Sequence, residues 1–280
     1  YFNRITKGGV PSKTLNICLA GTGVGKSLFM CHVAASFLAQ GLNVLYITLE
    51  MAEERIAERI DANLLDVSMD DLHDMPKSLY EDKITKIKDK TKGQLIIKEY
   101  PTASAHSGHF RSLLNELSLK KSFKPQVLFI DYLNICSSSR FKGGNISSYF
   151  YIKAIAEELR GLAVEFDMPI FSATQTTRTG FVSTDIGLED TSESFGLPAT
   201  ADFMFALMSN EELEQLGQMK VKQLKNRYND PSLHRSFIIG VDRAKMKLYD
   251  VENNAQNIVD KGPEPKKIDN PYDKFSDFKV

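Results

Sequence analysis

Between Ala20 and Ser27 the chain reads Ala-Gly-Thr-Gly-Val-Gly-Lys-Ser, and no other stretch limits the fold so strongly. An apolar run from Leu15 to Leu19 leads into it, and a helical pattern from Ser27 to Gln40 leads out. A strand, a glycine-rich turn and a helix in that order make a phosphate-binding loop. Here its anion-binding residues are Gly21, Thr22, Gly23, Val24, Gly25, Lys26 and Ser27. The glycines let the backbone wrap closely round an anion and aim its N–H groups inward. The helix adds its positive end. Lys26 would reach the β- and γ-phosphates, and the Ser27 hydroxyl would sit on Mg²⁺. The position before Gly21 is usually glycine and here is Ala20, small enough to fit but with a less free backbone. The competing explanation is an ordinary strand-to-helix turn.

With 280 residues and a 42% hydrophobic share, the chain can bury one large core or two small ones. Its net charge is −1, so any nucleic-acid contact has to come from local patches. Cys18, Cys31 and Cys136 are scattered and odd in number, as small buried residues of a reducing compartment are. No run is long enough to span a membrane and no signal peptide is visible, so a cytoplasmic location is expected. The first residue is Tyr1, which fits an excised domain.

Further along, strands and helices alternate. Strands are predicted at Asn43–Thr48, Gln94–Tyr100, Gln126–Asp131 and Pro169–Thr174. Helices are predicted at 52–65, 77–92, 110–119 and 149–166. Asp66–Pro76 reads as a polar connection, and 134–148 and 176–190 as polar loops. Asp202–Leu207 is a short strand. Beyond it Lys220–Tyr228, Ser236–Val241 and Lys245–Asp250 alternate in the manner of antiparallel strands. The fold class is therefore α/β, a mostly parallel sheet with helices on both faces and antiparallel strands added at its C-terminal edge. Residues 1–250 form the domain, and 251–280 read as a polar, disordered tail.

Ligands of such sheets sit at the carboxyl ends of the strands. Asp131 closes an apolar run and would hold Mg²⁺, or else is an exposed strand-end acid. Glu50 follows the strand after the phosphate loop. It can polarise a water at the γ-phosphate or serve as an N-terminal acid for the next helix. Gln175 can sense the γ-phosphate or be a plain polar strand end. The residues alone leave each pair open.

Four segments occur in order: Gly-Thr-Gly-Val-Gly-Lys-Ser, Tyr-Ile-Thr-Leu-Glu-Met-Ala, Leu-Phe-Ile-Asp-Tyr-Leu and Ser-Ala-Thr-Gln. Together they resemble the RecA-like P-loop ATPase core of DnaB-type hexameric replicative DNA helicases. Within that family the T-even-type bacteriophage branch is most similar, through Leu-Glu-Met-Ala-Glu-Glu, Arg-Ile-Asp-Ala-Asn, Ala-Ile-Ala-Glu-Glu-Leu-Arg and Gly-Leu-Pro-Ala-Thr-Ala-Asp-Phe. The resemblance runs from Thr6 to about Tyr249. It implies catalytic roles for Lys26, Glu50 and Gln175, with Ser27 and Asp131 as magnesium residues. Lys225-Asn226-Arg227 matches the family's Lys-x-Arg element, which reaches the nucleotide of the neighbouring subunit, Arg227 being the arginine finger and Lys225 its companion. Both point the same way on a strand, as a solvated edge face would also require.

Asp190–Asp202 matches the family's DNA-binding loop. The arginine that often precedes its Glu-Ser pair is here Ser192, before Glu193 and Ser194, so backbone N–H groups and the serines would hold phosphates. Arg140, Lys142 and Arg178 in the polar loops would add charge. The resemblance further implies ATP and Mg²⁺ as ligands, a homohexameric ring, single-stranded DNA in its channel, and primase, a helicase loader and other replisome proteins as partners. The family's N-terminal collar has no counterpart in the chain. The alternatives are a filament-forming RecA/RadA-like recombination ATPase and a KaiC-like signalling ATPase that binds no DNA.

Overall fold

The computed structural model describes residues 1–141, 146–176, 186–188, 196–252 and 256, with the backbone alone at 89–91. Tyr1–Asp250 is one compact unit. At its centre lies a nine-stranded sheet in the order β3-β2-β4-β5-β1-β6-β7-β8-β9. In chain order its strands are β1 Leu15–Ala20, β2 Val44–Thr48, β3 Leu95–Glu99, β4 Val127–Asp131, β5 Ile170–Gln175, β6 Phe203–Met208, β7 Gln218–Asn226, β8 Ser236–Asp242 and β9 Lys247–Asp250. The first six pair in parallel. β7, β8 and β9 join antiparallel at the edge beyond β6.

Parallel strands need crossovers, and the crossover helices cover both faces of the sheet. The burial pattern follows from the period of two along each strand. Leu15, Ile17 and Leu19 of β1 face the side shared with Leu45, Leu128, Ile130 and Ile170. Cys18 and Ala20 face the other side, with Val44, Tyr46, Phe129 and Phe171. The first face packs against helices Ser107–Lys121 and Ser148–Glu165. The latter helix buries Ile152, Ile155, Leu159 and Leu162, one stripe at helical spacing. The second face takes helix Lys26–Ala39 and, through Ile56 and Ile60, helix Glu53–Leu65.

Tyr46, Phe129 and Phe171 stack across β2, β4 and β5, with ring centroids 5.6 Å and 5.2 Å apart and planes within 14° of parallel. Each such contact adds about 0.5–1.5 kcal/mol beyond the area it buries. The stack lies beneath the strand ends that carry the site. The predicted sheet and its C-terminal antiparallel strands are present, with boundaries displaced by a residue or two. The three cysteines are buried and unpaired.

Short helices depart from the sequence reading, among them Met69–His73 and Glu211–Gln215. Within Asp66–Pro76, expected as a connection, residues Met69–His73 form a helix because the Ser68 hydroxyl accepts the Asp71 N–H at 3.0 Å and Asp70 and Asp71 fill the first turn. Glu211–Gln215 is capped likewise by Asn210. Most of the tail at 251–280 lies outside the described residues, as do 142–145, 177–185 and 189–195. Among the described residues no helix is long and apolar enough to cross a membrane.

Candidate active site

β1, β2, β4 and β5 end side by side, and their carboxyl ends bring together the phosphate loop, Glu50, Asp131 and Gln175. The loop turns on Gly23 and Gly25, at φ of 78° and 132°, conformations that favour glycine. Gly25 is also the N-cap of helix Lys26–Ala39, so the loop's amides and the helix N-terminus converge. A Cβ at Gly25 would meet Met219 Cε at 3.3 Å. Ala20 is the last residue of β1 and is fully buried, with no positive φ to satisfy. That is why alanine serves where the usual pattern has glycine.

Lys26 Nζ donates to the carbonyls of Gly21 at 3.1 Å and Ala20 at 3.3 Å, and lies 5.9 Å from the centre of the Tyr132 ring. Burial lowers its pKa, against the pull of the Glu50 and Asp131 carboxylates. Asp131 is completely buried at the end of β4. Burial pushes its carboxyl above the ordinary range, opposed by the hydrogen bond from Tyr46 and by the nearby Ser27 hydroxyl and Lys26 charge. The Tyr46 hydroxyl donates to Oδ2 at 2.9 Å, while Oδ1 is buried with no hydrogen-bond partner. An orphaned carboxylate oxygen beside a lysine and a serine hydroxyl is a fitting place for a hard cation.

Glu50 is exposed, on a short turn held from three sides. The Leu49 N–H donates to the Asp131 carbonyl at 2.9 Å. The Thr102 hydroxyl donates to the Leu49 carbonyl at 2.7 Å. The Thr48 hydroxyl donates to the Met51 carbonyl and accepts the Met51 N–H. The turn that presents the Glu50 carboxylate is thus fixed at the end of β2. Gln175 pairs in register with Ala20 and donates through Nε2 to the Tyr132 hydroxyl at 3.0 Å. Tyr132, which sequence reasoning did not single out, thus lies between Gln175 and Lys26. Its phenol is pushed up by burial and by the charges of Glu50 and Asp131. Arg243, between β8 and β9, donates through Nη2 to the Val24 carbonyl of the phosphate loop at 3.4 Å and faces Glu214 at 3.8 Å. Its place between strands of the antiparallel edge gave no sequence signal.

Lys225 and Arg227 stand elsewhere. They leave the end of β7 beside Asp202, whose N–H donates to the Leu15 carbonyl at the amino end of β1. The phosphate loop follows the other end of that strand, roughly 17 Å away at ~3.3 Å per residue. Both cations do point the same way, onto the carbonyls of helix Gly196–Thr200. Arg140 is ion-paired with Glu157, which lies one turn before Arg160 on helix Ser148–Glu165. The loop that carries Arg140 is tied down by Glu158. This carboxylate accepts from the hydroxyls of Ser107, Ser138 and Ser139 at 2.7, 2.6 and 2.8 Å and from the Ser139 N–H. Lys142, Arg178, Ser192, Glu193 and Ser194 lie outside the described residues.

A parallel sheet with a phosphate loop, an orphaned buried acid and a second acid at adjacent strand ends defines a nucleotide-binding P-loop ATPase. A family model described as the DnaB-like helicase C-terminal domain matches residues 1–244, and the chain belongs to that family as its ATPase domain. It is 48% identical over 256 residues to a DnaB-like replicative helicase of Enterobacteria phage T4, an alignment covering 90% of this chain and 54% of the phage protein. It is 31% identical over 166 residues to a probable plasmid replicative DNA helicase of Chlamydia psittaci, covering 58% of this chain and 34% of that one. The chain thus spans about half the length of the phage relative. Among solved structures, one described as an ATPase domain superposes with a TM-score of 0.74 at 18% identity, over 90% of this chain and 89% of that one. A DnaB-like replicative helicase described with its interactions with primase gives 0.72 at 17% identity, over 90% and 60%. Both share the fold.

Proposed function

We propose that the chain is the motor of a replicative DNA helicase, hydrolysing ATP at interfaces between identical subunits and drawing single-stranded DNA through a hexameric ring. The observation that carries this reading is the separation within one chain. The phosphate loop and the Lys225–Arg227 pair sit at opposite ends of β1, too far apart to serve one nucleotide, so the cations would complete a neighbour's site.

In that reading the loop amides and Lys26 bind the β- and γ-phosphates, and Glu50 takes the proton of the attacking water. Ser27 and the free oxygen of Asp131 would hold Mg²⁺, which neutralises phosphate charge when bound. Gln175, with Tyr132 hydrogen-bonded to it, would sense the γ-phosphate. Arg227 and Lys225 of the next subunit would meet the charge that develops on the transferred phosphoryl group. Asp190–Asp202, with Arg140, Lys142 and Arg178, would grip DNA by its phosphates without sequence preference. Primase, a loader and other replisome proteins are the partners such a motor would serve.

The test is ATPase activity with and without single-stranded DNA across protein concentration, together with mixing of Arg227→Ala and Lys26→Ala subunits. The expected result is a rate that grows faster than protein concentration, rises with DNA and is partly restored in the mixture. A dilution-independent rate with no complementation at any ratio would defeat the shared pocket. Filaments in place of rings by electron microscopy would favour a recombination ATPase, and absence of DNA stimulation a signalling one.

A further inference from the structure

Arg227 and Lys225 are held in place by their own chain. Arg227 Nη1 donates to Asp202 Oδ1 at 2.6 Å and Nη2 to the Ala199 carbonyl at 3.3 Å. Lys225 Nζ donates to the carbonyls of Pro198 at 2.6 Å and Ala199 at 3.0 Å. Asp202 is shared. It accepts from Arg160 Nε at 3.0 Å and Nη2 at 3.1 Å, and its Oδ2 accepts the Leu15 N–H at 3.0 Å. The side chain of Asp202 is 5% exposed, those of Arg160 and Arg227 38% and 45%. One buried acid thus holds two guanidinium groups that both open to solvent.

We propose that Asp202 is a positioning residue for the trans-acting cation: it seats Arg227 against its own subunit, and Arg160, by sharing the carboxylate, sets how firmly. This rests on the reading of Arg227 as a residue that completes a neighbour's site. Two cations on one carboxylate divide its hydrogen-bonding capacity and its field. Without Arg160, Asp202 has Arg227 as its one remaining guanidinium partner, and the seat tightens. Without the charge of Asp202, Arg227 loses its strongest partner and is left beside the like charge of Arg160, which drives it outward. The carbonyls that complete the seat belong to helix Gly196–Thr200, within the Asp190–Asp202 stretch that would meet DNA. DNA held by one subunit and the cation offered to the next therefore share one backbone segment, so strand binding would loosen the seat and raise hydrolysis next door.

The experiment is steady-state ATP hydrolysis by the 280-residue chain, with and without single-stranded DNA, for the wild type, Asp202→Asn and Arg160→Gln. Asp202→Asn keeps an oxygen for the Leu15 N–H. It is expected to raise DNA-independent kcat by about three- to tenfold and to shrink the stimulation by DNA. Arg160→Gln is expected to lower DNA-independent kcat by about the same factor, with Arg160→Lys, which keeps the charge but not the two-nitrogen fork, restoring only part of it. KM for ATP should change less than about twofold in each, because the chain's own phosphate loop lies beyond the other end of β1. Opposite signs are the signature of a seat, since a purely structural ion pair would lose activity in both. Loss in both, or an unchanged response to DNA in both, overturns the proposal. If thermal unfolding shows that Asp202→Asn does not fold, the DNA response of Arg160→Gln decides: a loss confined to DNA-independent kcat, with the DNA-stimulated rate retained, supports the seat, and an equal loss with and without DNA overturns it. A wild-type chain showing neither DNA stimulation nor concentration dependence would remove the shared-pocket reading itself, and the seat with it.

Discussion

At the carboxyl end of β1 the chain ties Lys26 to backbone carbonyls beside the buried Asp131, whereas around Asp202, at the amino end, it leaves Arg160 and Arg227 half in solvent. The first arrangement is rigid. Its shape comes from glycine dihedrals, a helix N-terminus and the register that aligns Thr48 with Asp131 and Ala20 with Gln175. The second depends on long side chains with alternative partners. A pocket that must bind the same triphosphate in every cycle gains from the first design. In the ring proposed above, a pair of cations that would have to reach a moving neighbour would gain from the second, because a half-exposed ion pair is worth little and can be exchanged.

The comparison breaks most sharply at Arg227. Arg227→Ala should lower ATP turnover by about 10³–10⁵ while leaving ATP affinity nearly intact, as expected of a trans finger. Turnover and nucleotide binding measured on the same preparation check it. Equal losses in both would assign Arg227 to its own subunit's pocket. Glu50→Gln comes next. It should keep ATP binding and cost about 10²–10⁴ in turnover, the contribution of a positioned general base. Undiminished hydrolysis by that variant would return Glu50 to the role of a helix-capping acid.

Tyr132→Phe sharpens the comparison on a smaller scale. The phenol joins Gln175 to the neighbourhood of Lys26 without being required to touch phosphate. Its loss should reduce DNA stimulation of the ATPase by about threefold, with DNA-independent turnover changed less, as for removal of one neutral hydrogen bond. A matched loss with and without DNA would make Tyr132 a packing residue only.

The two ends also differ in how far the sequence discloses them. The phosphate loop could be read because the glycines, Lys26 and Ser27 act through local backbone geometry and stand next to one another. Asp131 and Glu50 could be proposed because strand ends in a parallel sheet converge, yet the orphaned oxygen of Asp131 and the fixed turn under Glu50 depend on Tyr46, Thr48 and Thr102, which no motif marks. Tyr132 and Arg243 stayed hidden for the same reason, since their partners come from distant segments. Lys225 and Arg227 were found through family resemblance, and nothing in their neighbourhood names Arg160 or Asp202 as partners. The short helix Met69–His73 was missed because its signal, a serine cap followed by acids, also describes a polar connection.

The smallest effect concerns Glu158, whose carboxylate fastens the loop bearing Arg140 to helix Ser148–Glu165. Burial pushes this group up, but hydrogen bonds from Ser138, Ser107 and Ser139 prevail and hold it below the ordinary carboxylate value. A lowered folded-state pKa means that stabilisation is fully present above the unfolded value, about 4.3, and is lost as pH falls through the folded one. Glu158→Gln keeps one acceptor oxygen and loses the charge. At pH 7 it should cost about 1 kcal/mol, a fall of roughly 2–4 °C in Tm for a domain of this size. The gap between wild type and variant should then close as pH is taken from about 6 toward 3, because the wild type loses what the variant never had. Thermal melts across that range check both parts. A gap that stays constant down to about pH 3 would mean that shape, and not charge, fastens the loop. The charged tie on that loop would then be the ion pair of Arg140 with Glu157, open to solvent and weakened by salt.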